Sequence, residues 1–74
     1  MTIGQAIHKA RRNAKLDVTE FGRLIGFNGK SPGSNVAKYE NDERDPSSKK
    51  IKQIEAVTGY RFCTCADGWE IVEI

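Results

Sequence analysis

Residues 17–41 read DVTEFGRLIGFNGKSPGSNVAKYEN, and the punctuation of this stretch decides how the rest of the chain is organised. Asp17 stands three residues before Glu20, the spacing of a capping box, and Phe21, Leu24 and Ile25 follow as an apolar stripe at helical intervals. Gly26 is well placed as a C-terminal stop, so a short helix over about residues 18–25 is expected. Gly22 inside it costs about 1 kcal/mol of helix propensity relative to Ala, which points to another backbone crossing close by. After Phe27 comes Asn28-Gly29-Lys30-Ser31-Pro32-Gly33, a turn cluster with Ser31 as N-cap and Pro32 at the first helical position. The next helix then covers about residues 32–41, with Val36 and Tyr39 inward. Ser34, Lys38 and Asn41 share its outward face, with Asn35 at the edge. That face is polar and nearly free of carboxylates.

Upstream, Thr2 and Gln5 form another capping box, and Ile3, Ala6, Ile7, Ala10 and Ala14 recur at helical spacing, predicting a helix over about residues 3–15. Its other face carries Gln5, His8, Lys9, Arg12 and Lys15. Downstream, Asp42 to Pro46 is a charged loop, and Ser47 caps a helix over about residues 48–58 with Ile51, Ile54 and Val57 inward. Gly59 stops it, and Lys49, Lys50 and Lys52 fall on its outer face. From Tyr60 the pattern becomes β-like and turns at Asp67-Gly68. A three-residue hairpin loop would pair Phe62 with Val72, Tyr60 with Ile74 and Arg61 with Glu73. The expected architecture is thus mainly α with a small β part: a four-helix core over residues 1–59 and a C-terminal β-hairpin over residues 60–74 of a single domain.

A chain of 74 residues holds one small core, whose modest isolated stability a partner subunit would raise. Residues 1–40 contain seven Lys/Arg against three Asp/Glu, and residues 41–74 five against seven, so the net +2 divides into +4 and −2. A positive first half suits a domain that lays one face on a polyanion. No apolar run reaches the roughly 20 residues of a membrane span, and no secretory h-region opens the chain, so a cytosolic protein is expected. Cys63 and Cys65 share one face of an extended strand, where a disulfide between them would be strained; they hold half a metal site at most and are read as reduced thiols. No nucleophile with a base, metal-ligand constellation or nucleotide-binding Gly-rich loop is evident, so neither enzyme chemistry nor a cofactor is expected.

In this order, Ile3-Gly4 opening the first helix, Arg11 on it, Leu16-Asp17 leading into the second and Tyr39-Glu40 closing the third resemble the XRE family. These are helix-turn-helix regulators similar to phage Cro and repressor proteins, and the match runs from residue 3 to about 60, through Pro46-Ser47 and Gly59. The resemblance implies a sequence-specific DNA-binding transcriptional regulator, a phage or prophage Cro-like repressor acting on double-stranded DNA in the cytoplasm and nucleoid of a bacterial host. It implies an ion pair between Arg11 and Glu40, which fits the position of Arg11 at the boundary of the apolar stripe. It places Ser34, Asn35 and Lys38 at base edges, where Asn can bond adenine, Lys can donate to guanine and Ser can serve either.

Two departures from the family alter this picture. Val18 stands where a Gln commonly touches phosphate and braces the reading helix, neither of which Val can do, and the turn between the second and third helices is longer than usual. That turn places Asn28, Gly29, Lys30 and Ser31 at the lip of the groove, a composition suited to clamping phosphate at a helix N-terminus. Thr19, Asn28, Lys30, Ser31, Asn41 and Arg44 are the phosphate candidates, with Lys9 and Arg12 in reserve. The hairpin replaces the helix on which many members dimerise. Phe62, Trp69, Ile71, Val72 and Ile74 are therefore candidates for a homodimer interface, on an operator with half-sites about one helical turn apart. A competing expectation keeps the fold as a protein-interaction module, or as an antitoxin-type or anti-CRISPR-associated autoregulator.

Overall fold

Each helix begins at a residue that can occupy its N-cap, and the elements follow in the expected order. The computed structural model describes residues 1–74 as α1 (Ile3–Asn13), α2 (Val18–Leu24), α3 (Pro32–Glu40), α4 (Ser48–Thr58), β1 (Tyr60–Cys65) and β2 (Gly68–Glu73). The fold is mainly helical, with one two-stranded antiparallel sheet. Thr2 and Gln5 complete a reciprocal capping box on α1, and the side chains of Asp17 and Ser47 accept from the backbone N–H groups of Glu20 and Lys50. Ser31 occupies the N-cap of α3, but its hydroxyl makes no capping bond, contrary to the role expected of it. Its backbone at φ −138°, ψ 65° departs from the extended conformation in which a cap side chain reaches the first turn.

Three helices close with the same pair of bonds. Gly26 N–H donates to Arg23 and Phe27 N–H to Gly22; Lys15 and Leu16 reach back to Arg12 and Arg11, and Asp42 and Glu43 to Tyr39 and Lys38. This is the Schellman pattern, which needs a left-handed residue after the cap. Gly26 meets that need at φ 102°, but Lys15 and Asp42 adopt φ 61° and 60° without glycine's freedom. The turn at Lys15 is why α1 ends at Asn13, short of the expected residue 15.

The core joins Ile3, Ala6, Ile7 and Ala10 of α1 to Phe21, Ile25, Val36, Tyr39, Ile54 and Phe62. Leu24, expected inward, is 54% exposed, because α2 buries its Phe21–Gly22 side and Leu24 lies off that face. Gly22 is required by packing: a Cβ placed there would lie 2.5 Å from the Pro32 carbonyl oxygen, which is the close crossing its position in the sequence implied.

The hairpin forms, but in a different register from the expected one. Tyr60 pairs with Glu73, Arg61 with Val72, Phe62 with Ile71 and Cys65 with Gly68, leaving a two-residue turn at Ala66-Asp67. Opposed residues share a face, so Tyr60, Phe62, Trp69 and Ile71 point at the helices while Arg61, Cys63, Glu70 and Val72 point away. The expected register would have put Glu70 on the inner face opposite Thr64. A one-residue slip exchanges the two faces, and burying Trp69 and Ile71 decides between the registers. Gly68, at φ 114°, also lets Met1 approach: Trp69 N–H donates to Met1 O at 2.7 Å, and the Met1 ammonium donates to Trp69 O at 3.2 Å.

Candidate nucleic-acid interface

The N-termini of α2 and α3 converge. A Cβ on Gly33 would lie 3.1 Å from Val18 Cγ2 and 3.2 Å from Thr19 Oγ1, so the glycine lets the first turns of the two helices sit close without displacing either side chain. Val18 is half-buried there and packs against the core. Thr19 is exposed beside it.

From this junction α3 presents its outer side. Ser34, Lys38 and Asn41 are exposed, Asn35 is half-buried, and Val36 and Tyr39 are in the core, as the sequence predicts. The single acid of α3, Glu40, is turned away from that side into a bond with Arg11. Lys38 is therefore the one charge on the exposed face of α3. Asn28, Gly29, Lys30 and Ser31 are all exposed and border the N-terminus of α3, and a Cβ on Gly29 would meet nothing within 4 Å. Asn41 and Arg44, also exposed, belong to the opposite end of α3, about 15 Å away along the axis. The phosphate candidates thus form two groups flanking Ser34, Asn35 and Lys38.

Arg11 ties the C-terminal end of α3 to α1. Its Nε donates to Glu40 Oε2 at 2.7 Å, Nη2 to Oε1 at 3.2 Å and Nη1 to the Leu16 carbonyl at 2.8 Å. His8 Nδ1 lies 2.8 Å from Glu40 Oε1, a distance at which the ring nitrogen donates to the carboxylate. The 3.2 Å approach of Arg11 Nη2 to that same nitrogen is then a neighbouring contact and not a second hydrogen bond. Helical spacing places His8 on the outer face of α1 and does not link it to a residue 32 positions away.

Two further side chains escape the sequence reading. Asp42, taken for one charge of an acidic loop, turns its carboxylate onto the start of α1: Oδ1 accepts from Gly4 N–H at 2.9 Å and Oδ2 from the Thr2 hydroxyl at 2.7 Å. Lys50, placed on the outer face of α4, instead folds back to donate to the Ile25 carbonyl at 2.6 Å, its ammonium 4.5 Å from the Phe27 ring centroid. No known protein family, curated protein or solved structure matches the chain.

The candidate dimer residues divide. Phe62 belongs to the core, and Trp69 and Ile71 are half-buried against it, so the register removes these three from the outer surface on which they were expected. Val72 and Ile74 remain, 50% and 74% exposed, beside a shallow hollow that Arg61 and Glu73 complete. No helix is long and apolar enough to cross a membrane.

Proposed function

We propose that this chain is a sequence-specific DNA-binding transcriptional regulator of the Cro-like repressor kind, which inserts α3 into the major groove and acts as a homodimer. The observation that carries the reading is the outer face of α3, where Ser34, Asn35 and Lys38 stand without a carboxylate between two groups of exposed hydrogen-bonding and basic residues. A helix in the major groove needs side chains able to read base edges at its centre and phosphate contacts at its flanks. Thr19, Asn28, Lys30 and Ser31 serve one flank, Asn41 and Arg44 the other. The extended turn meets phosphate beside the N-terminus of α3. Dimerisation uses Val72, Ile74 and the outer edge of β2, with operator half-sites about one helical turn apart.

The test is selection of bound sites from random duplex DNA at a stated salt concentration. The wild type should enrich a two-fold-related motif, and Lys38→Ala should relax one symmetric pair of positions, losing about 1–3 kcal/mol at the preferred base. Lys30→Ala should weaken all sequences alike and flatten the salt dependence. Failure of the wild type to enrich any motif overturns the reading, and would favour a protein-interaction module using the exposed Val72 and Ile74.

A further inference from the structure

The outer face of the hairpin carries chemistry that DNA binding does not use. Cys63 and Cys65 are both free thiols, one half-buried and one exposed, on the side of β1 that points away from the helices. Opposite Cys65 stands Gly68, which has no side chain to cover it, and opposite Cys63 stands Glu70. The pair is held on a closed antiparallel hairpin whose other face is anchored in the core through Phe62, so its spacing is fixed.

That spacing selects among the possible fates of two thiols. Side chains two residues apart on a strand are separated by roughly 6.6 Å, whereas a disulfide needs Cβ atoms about 3.5–4.5 Å apart. The thiols cannot join directly without bending the strand. A metal ion between them adds two metal–sulfur bonds of about 2.3 Å each and spans the gap with a small inward lean of both side chains. Although Glu70 stands opposite Cys63, no group of three His, Cys, Asp or Glu side chains is arranged to hold a metal ion. Zinc, which takes four ligands in structural sites, is therefore poorly served. Soft thiolates favour Cu(I) over hard cations, and a closed-shell monovalent ion accepts two-coordination. Arg61 lies on the same face two residues before Cys63, and Glu70 directly opposite Cys63, so the bis-thiolate has one cationic and one anionic neighbour on that face.

We propose that Cys63 and Cys65 form a two-coordinate site for a soft monovalent metal ion of the Cu(I) class on the outer face of the hairpin. The site lies within one chain and away from α3, so it stands or falls independently of the DNA-binding reading. Purified full-length protein, reduced with a non-thiol reductant and kept anaerobic, is titrated with Cu(I) held by a competing chromogenic chelator. One ion per chain should transfer to the wild type, with a thiolate-to-copper absorption band, and Cys63→Ser and Cys65→Ser should each abolish the transfer. Both variants sit at partly or fully exposed positions, and circular dichroism verifies that they fold. Transfer that persists in either serine variant, absence of transfer to the wild type, or one ion shared by two chains each overturns the proposal.

Discussion

Arg11→Met should lower folding stability by about 3 kcal/mol. The side chains of Arg11 and Glu40 are only 11% and 10% exposed, and Arg11 makes two bonds to the carboxylate and a third to the Leu16 carbonyl. Methionine keeps the aliphatic contact but donates nothing, so a nearly buried carboxylate loses its main partner. Removing one member of such a pair costs roughly 3–5 kcal/mol, because the other charge is left behind. His8, still 2.8 Å from Glu40 Oε1 but with half its side chain in solvent, keeps the figure at the low end. For a domain of this size each kcal/mol lowers the midpoint by about 4–8 °C, so a fall of about 15 °C is expected by circular dichroism. Arg11→Met/Glu40→Met should recover most of the loss, since replacing both partners removes the stranded charge. A midpoint within about 2 °C of wild type, or a double variant no better than the single, refutes the stranded-charge reasoning.

Gly22→Ala should destabilise by about 1–3 kcal/mol in urea titration despite Ala's better helix propensity, because its methyl would meet the Pro32 carbonyl 2.5 Å away. A stabilised variant would show that α2 and α3 can part at no cost. Asp42→Ala should cost about 2 kcal/mol through the lost caps on Thr2 and Gly4 and the left-handed backbone, and Asp42→Asn about half as much; an Ala variant as stable as the wild type would mean that the carboxylate is immaterial. Ile71→Asp should lower the melting midpoint far more than Val72→Asp, since Ile71 faces the core and Val72 the solvent. The reverse order would contradict the observed register.

What the sequence makes legible is what chain neighbours decide. Thr2 with Gln5, Asp17 with Glu20, and Ser47 with Lys50 are bonds across three positions, and their helices start where the spacing places them. Gly22 was readable because a glycine inside a helix is unfavourable unless space demands it. Asp42, His8 and Lys50 were not readable, because each acts on a residue 25 to 40 positions away that only the folded chain brings near. The same limit applies to the outer face of α3: its composition follows from helical period, but the turning of Glu40 away from it depends on Arg11 of α1.

The hairpin register bears most directly on how a dimer would be built. Local pairing favoured matching Arg61 with Glu73 across the strands, an exposed contact worth only a few tenths of a kcal/mol. Burying Trp69 and Ile71 instead stabilises by more, since each covers apolar area at about 25 cal/mol per Å², and that choice leaves Val72 and Ile74 outside. Two side chains fall well short of the interface area that a stable dimer usually buries. Backbone pairing would then have to carry much of the association. Met1 engages both Trp69 N–H and Trp69 O, and strand alternation turns the corresponding groups of Ile71 and Glu73 toward the same open side. Under the proposed function, the edge left for a second copy is therefore short and begins after Trp69. Such a dimer is weak in free solution and is strengthened when DNA holds two copies side by side. Operator occupancy should then rise more steeply than the first power of protein concentration, and Val72→Asp should remove that steepness while leaving the fold and half-site contacts in place.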